Sequence, residues 1–317
     1  MNIRNGAQLK ATAKNRLDQP GWYRLFGLHA AVTLGASLLV FLLNMALDAG
    51  MANAGGLSGM GTRSLLDSIG SFVEMVVTIL LPFWQLGLVY LSIQFARKEA
   101  TDKQTLLQGF RRFKPALRLM LVELLFMMGA AVVVSQVLVY FMMLMPQTEQ
   151  AMQEMAPMLE TAETIQPEAV MEMMDLMLET MLPAVLLCVA VFLAVWLFLS
   201  FRMRLAEYMI ISGDTDRAFF AVRSSWRMTR GNCFALLRLD LRFWWLYLLD
   251  GLMMAMLYLD LLLPAIGIPL PLDPQIFSVS SYLVYLVLRL AVDTFLLPKR
   301  HVTYALAYEA LAHPTVE

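Results

Sequence analysis

Ionisable side chains set inside otherwise apolar stretches are the residues of this chain best placed to do chemistry. Arg238, Asp240, Arg242, Asp250 and Asp260 fall in one such stretch. Arg202, Arg204 and Glu207 lie near the end of another, Glu123 about two turns into a third, and Arg289 with Asp293 in a fourth. A charge in hydrocarbon costs about 3 kcal/mol or more, so each must face a partner, water or a ligand. Arg289 and Asp293 are four residues apart, share a helix face and can pair. Arg238 and Arg242 also share a face and need an acid from elsewhere, with Glu123 and Asp293 the first choices. Three chemistries are open to such a set. The first is interhelical ion pairs with arginines snorkelling to the interface. The second is a wet cavity open to the cytoplasm that holds a headgroup or small anion. The third, acid–base catalysis, requires two carboxylates at similar depth, and Asp250 has no acid at helical spacing except the distant Asp260. It is the least supported.

Other chemistries find little footing. His29, His301 and His313 are scattered, and neither Cys188 nor Cys233 has a metal-ligand neighbour at i+3 or i+4. Of 25 methionines, 11 fall between Met142 and Met181, where thioethers could hold Cu(I). Their helical period reads first as interface packing. Gly55-Gly56-Leu57-Ser58-Gly59 lacks the spacing of a phosphate loop. No metal, cofactor, catalytic residue or nucleic-acid partner is expected, and the two cysteines are expected to be free thiols.

The elements that must position these residues are long apolar runs. Hydrophobic residues make up 59% of the chain and charged ones 15%, beyond the mix of a soluble domain. Six spans are expected at 22–47, 72–95, 115–145, 182–211, 233–263 and 276–297, each long enough to cross about 30 Å of hydrocarbon. The expected architecture is a single all-α integral membrane domain over 1–317, a polytopic bundle of six transmembrane helices. Between these spans every Lys and Arg except Arg63 falls on one side, which places both termini in the cytoplasm of a bacterial inner membrane by the positive-inside rule. A cleavable signal peptide is not expected, although Ala52-Asn53-Ala54 imitates a cleavage site.

Two further patterns organise the chain. Residues 147–180 carry eight acids and no basic residue. In them Glu168, Glu172, Asp175 and Glu179 alternate with Val170, Met173, Met174 and Met177 at helical spacing. This predicts an outer helical hairpin over 146–181 that prolongs spans three and four and turns near Thr164 to Pro167. Second, each odd-numbered span follows a basic amphipathic segment and a break. The segments are Leu9 to Asp18 before Gln19-Pro20-Gly21, Leu106 to Phe113 before Lys114-Pro115, and Ala218 to Met228 before Arg230-Gly231-Asn232. The pattern suggests a three-unit internal repeat. Thr101 to Gln104 reads as a capping box, and Asp214 and Asp216 suit the start of the third segment. Leu106, Leu107, Phe110 and Phe113 oppose Arg111 and Arg112, while Phe219, Val222 and Trp226 are set against Arg223, Arg227 and Arg230. Such helices are expected to lie in the interface, apolar face down and basic face on anionic headgroups, or to dock a cytoplasmic partner. Gly27, Ala31 and Gly35 form a small-residue face for close packing within the monomer.

One segment carries a family likeness. Tyr208-Met209-Ile210-Ile211, Ala218, Ala221-Val222-Arg223-Ser224-Ser225, Met228-Thr229-Arg230-Gly231-Asn232, Phe234 and the run from Leu239 to Trp245 stand in order. In this the chain resembles a bacterial family of integral membrane proteins known as domain-of-unknown-function family 975. Leu86-Gly87-Leu88 to Phe110 and Tyr308-Glu309 look similar to that family's middle and tail. Arg230 departs from its Lys, and Arg238, Asp240 and Arg242 make the span more charged than its pattern. The resemblance implies a plasma-membrane protein distantly similar to the membrane domains of bacterial glycerophosphodiesterases, without their catalytic domain and with no active-site residue to carry over. The expected function is therefore non-enzymatic, binding or organising membrane lipid or a protein partner at the cytoplasmic face. The rival is a permease for an amphiphile using the buried charges of spans four to six. An intramembrane hydrolase is third.

Overall fold

The computed structural model of the chain describes residues 5–53, 58–143, 167–265, 267–269 and 274–313. All regular structure among them is helical, as a backbone in hydrocarbon requires if it is to satisfy its own hydrogen bonds. Helix α1 (Gly6–Leu17) opens on Asn5, whose side chain accepts from Gln8 N. It ends at the Pro20-Gly21 break, where Gly21 takes φ +85°, a conformation that glycine adopts without strain. Helices α2 (Trp22–Asn53) and α3 (Ser58–Arg97) follow. A 3-10 turn (Lys103–Leu107) and the short α4 (Gln108–Arg111) then lead into α5 (Phe113–Met143). Beyond lie α6 (Pro167–Ser212), α7 (Ala218–Thr229), α8 (Cys233–Leu241), α9 (Trp244–Leu257) and α10 (Leu259–Ala265). Helix α11 (Pro274–Ala291) passes through a π-helical segment (Val292–Leu296) into α12 (Leu297–Ala312).

Five stretches of the described residues are long and apolar enough to cross a membrane: Trp22–Leu47, Ser68–Arg97, Phe113–Val137, Val189–Ser212 and Ile276–Ala312. Their outward side chains are apolar, with Leu125 65% and Val287 68% exposed, a surface that hydrocarbon stabilises and water does not. The chain is an all-α, multi-pass membrane protein.

The expected span 233–263 is not one helix. It breaks at Arg242-Phe243 and again at Tyr258 into α8, α9 and α10. Helix α9 is a shorter apolar helix beside the five long ones, and α9 and α10 end to end would rise about 30 Å at ~1.5 Å per residue, the length of a crossing in two pieces. Arg238 and Asp240 therefore belong to α8, Arg242 caps its end, and all three precede α9. Helix α8 lies beside α1, since a Cβ on Gly6 would meet Leu239 and Arg242.

Long helices overrun the hydrocarbon. Ile276–Ala312 would rise about 55 Å against roughly 30 Å of bilayer core, so α12 projects beyond it. From Val302 to Tyr308 α12 is buried, covered by α1 and α3. For the first two pre-span segments this corrects the expectation that they rest apolar face down on lipid. In α1 the apolar row Leu9, Ala13 and Leu17 is buried against protein. In the second segment Leu106 and Gly109 are buried against α3. There a Cβ on Gly87 would come 1.9 Å from Leu106 O, and one on Gly109 1.9 Å from Phe83 O. The short helices thus bury apolar surface of α3 and α12 against protein.

Smaller expectations also shift. The second break falls at Arg112, and Pro115 sits in the first turn of α5, where its missing N–H leaves no helical bond unmade. The capping box is Asp102 with Thr105, one residue later than read from the sequence. Gly27 does meet a neighbour, Thr294 on the π segment, whereas nothing approaches Gly35. Helix α6 is continuous from Pro167 to Ser212, so the second arm of the expected outer hairpin and span four are one helix. The turn before Pro167 and the first arm lie outside the described residues, as do the side chains of 167–181.

The chain forms two compact units, one of Met1–Leu117 with Leu205–Glu317 and one of Arg118–Arg204. The polar clusters described below, except where noted, belong to the first.

Candidate functional site

The broken passage positions the first cluster. Asp250 comes from α9, Arg289 from the last turn of α11, and Asp293 from the π segment, a distortion that recurs at functional sites. Arg289 Nε donates to Asp293 Oδ2 at 3.1 Å and Arg289 Nη1 donates to Asp250 Oδ1. Phe243, Leu246, Met253 and Val292 form a buried apolar cluster in the same part of the chain, with Tyr285 and Leu296 against it. The i, i+4 pair read from the sequence is present, and Asp250 joins it from another helix. Oδ1 of Asp293 is buried and has no hydrogen-bond partner among the described residues. One guanidinium thus stands between two carboxylates, which holds α9 to α11. Asp293 is occupied by Arg289 and so is not the partner sought for Arg238 and Arg242. Glu123, the other choice, belongs to the second compact unit.

A second cluster gathers around Asp240, 5% exposed at the end of α8. Tyr247 OH donates to Asp240 Oδ1 at 3.2 Å, and Tyr304 OH donates to the same oxygen. Arg300 lies 3.8 Å from it and its guanidinium covers the Tyr247 ring at 4.7 Å. Burial of a carboxylate is tolerable when phenol donors and a cation meet it. Sequence reading found Asp240 but missed Tyr247, Arg300 and Tyr304. The one available signal was Arg300 and Tyr304 at i, i+4 on the same helix face.

A third cluster binds the helix ends. Arg112 Nη1 donates to Ile210 O (3.1 Å) and to Asp216 Oδ1 (3.0 Å), closing the carbonyl end of α6. Tyr308 OH donates to Asp214 and lies 3.3 Å from Ser212 Oγ. Arg97 meets Glu309 at 2.8 Å across α3 and α12. Asp214 and Asp216 are thus spent on this junction, and α7 begins on Arg217 with no side-chain cap. In the α2–α3 pair, His29 Nε2 donates to Trp84 O at 3.3 Å and Trp84 Nε1 to His29 O at 3.2 Å, with the rings stacked. That gives His29 a packing role.

The remaining predicted residues disperse. Arg202 lies over Phe198 and Arg204 over Phe201, both in the second unit, while Glu207 is half-buried on α6 in the first. Arg238 is exposed and Arg242 half-buried beside Gly6. Arg111 is exposed and donates to Gln104 at 2.9 Å. Cys233 is a free thiol that donates to Thr229 O. Among the described residues no three His, Cys, Asp or Glu groups gather as a metal site.

Helix α7 differs from its sequence reading. Its buried face is Ala218, Ala221, Val222, Ser225 and Thr229. Phe219 (64% exposed), Phe220 and Trp226 are exposed together with Arg223, Arg227 and Arg230. At about 100° per residue these six fall within one third of the helix circumference. Aromatic and basic side chains therefore share a face where opposite faces were expected, and Phe234 at the start of α8 is also bare, at 87% exposure.

Finally, a cavity of about 250 Å³ opens where α1 meets α2 and α3 meets the 3-10 turn. It is lined by Gln19, Pro20, Gly21, Trp22, Arg24, Leu25, Phe95, Thr101, Asp102 and Lys103. Compared with models of protein families, with curated proteins and with solved structures, the chain matches none.

Proposed function

We propose that this is a non-enzymatic protein of a bacterial inner membrane, with both termini in the cytoplasm, that gathers anionic lipid at its cytoplasmic face. The observation that carries the reading is the outer face of α7, where Arg223, Arg227 and Arg230 stand among Phe219, Phe220 and Trp226. Aromatic side chains favour the depth at which acyl chains meet headgroups. Basic side chains beside them draw anionic lipid, each worth about 1 kcal/mol near the surface. The resemblance of Glu207 to Trp245 to family 975 agrees with a membrane protein.

The test is the triple variant R223Q/R227Q/R230Q, extracted with its surrounding lipid and measured for lipid composition. The anionic share around the protein is expected to fall severalfold. An unchanged share removes this reading, and recovery of a protein partner lost in the variant would transfer the face to partner docking. The permease reading has its support in the broken passage and the π segment beside Asp293. It predicts a polar path to Asp250, whose carboxylate is instead held by Arg289, and it is the weaker of the two.

A further inference from the structure

The cavity between the Gln19–Trp22 and Thr101–Lys103 segments is lined by two cations, Arg24 and Lys103, and one acid, Asp102, and it shares no residue with the α7 face. We propose that it binds a phosphate ester, with Arg24 and Lys103 as the cations that meet the phosphate and Trp22, Leu25 and Phe95 as the wall for the ester's organic part.

Charge is the first argument. Arg24 and Lys103 are exposed on the rim, and Asp102 is the one acid among the lining residues. That carboxylate caps the 3-10 turn, with Oδ1 accepting from Lys103 N at 2.6 Å, and two cations against one acid leave the lining net positive. Gln19 and Thr101 add neutral hydrogen-bonding groups. The first turn of α2 also lines the cavity, and the positive end of a helix dipole adds to the attraction for an anion. Shape is the second argument. About 250 Å³ is room for roughly eight waters at ~30 Å³ each, enough for a phosphate with a glycerol-sized substituent. Gly21 at φ +85° makes the turn that separates α1 from α2 here, so the space is built by the backbone as well as by side chains. Location is the third. The cavity lies at the start of the span Trp22–Leu47, and the end of a span is where a chain meets headgroups. A phosphodiester lipid could enter it sideways and a soluble phosphate ester from the water.

The experiment is native mass spectrometry of the full chain in detergent, titrated separately with phosphatidylglycerol, with glycerol 3-phosphate and with diacylglycerol, which lacks the phosphate. One phosphatidylglycerol per chain is expected to be retained, and diacylglycerol not. R24Q/K103Q removes two charge-assisted contacts and is expected to weaken retention at least about ten-fold. Both side chains are exposed, so the variant should keep its melting temperature; if it does not, K103E read in the same way replaces it. Tighter binding of glycerol 3-phosphate than of the lipid, lost in R24Q/K103Q, keeps the phosphate site and makes its ligand soluble. Retention of phosphatidylglycerol undiminished in R24Q/K103Q, or equal retention of diacylglycerol, overturns the proposal. R223Q/R227Q/R230Q serves as the independent control. It should leave the one-to-one complex intact, so failure of the α7 reading and failure of this one give different results.

Discussion

Arg112 closes the end of α6 by donating to Ile210 O and Asp216 while packing into the space above Gly213. A Cβ on Gly213 would come 2.6 Å from Arg112 Nη2, and the residue holds φ +93°. Gly213→Ala is therefore expected to lower stability by about 1–3 kcal/mol, read as a fall in melting temperature in detergent. An unchanged melting temperature would show that the left-handed conformation at Gly213 carries no such strain. Sequence reading placed Arg112 on a basic lipid-facing surface, because an arginine beside phenylalanines on a short helix looks the same whether its partner is a headgroup or a carbonyl 98 residues away. Arg289 with Asp293 was legible, since four residues on one helix bring two side chains together whatever surrounds them. Asp250, 39 residues from Arg289, was legible as a buried charge but not as that pair's third member.

At the scale of elements, the pattern of short helix, break and long helix was readable from periodicity and from Pro20, Gly21 and Gly231. What those short helices cover was not. The spacing of Leu9, Ala13 and Leu17 announces one apolar face, and such a face is satisfied equally by acyl chains or by α12. The structure chooses α12 and α3. Leu9→Ala is expected to destabilise by about 2–5 kcal/mol, the cost of a cavity in a close-packed core. Thermal unfolding in detergent checks this, and a loss below about 0.5 kcal/mol would return α1 to the membrane surface. The division of 233–263 into three helices was also hidden. Phe243 and Tyr258, where the helix breaks, are ordinary residues in an apolar run, and the run contains neither Gly nor Pro at those points.

For the whole molecule, the strongest consequence is sidedness. With the expected spans, all basic residues but Arg63 would fall on the side of the termini, and the contacts Arg97–Glu309 and Arg112–Ile210 tie the ends of α3 and α12, and of α4 and α6, together. Single cysteines placed at Ser58, Glu163 and Gln275 are expected to react with an impermeant thiol reagent from outside the cell. Reaction from the cytoplasm alone would reverse the orientation on which the lipid proposals stand.

The sequence by itself determined the solvent of this protein, its helical class, the presence of most long helices and the local ion pair, because each depends on composition or on residues within two turns of one another. Tertiary structure decided which side chains meet across the chain. Asp240 found Tyr247, Tyr304 and Arg300, Asp214 found Tyr308, and the cavity beside Arg24 found its second wall in Phe95 and Lys103. Those meetings follow from how far the long helices project beyond the hydrocarbon and which short helices cover their ends. Periodicity fixes the face that an element buries. Only the packed molecule fixes what that face is buried against.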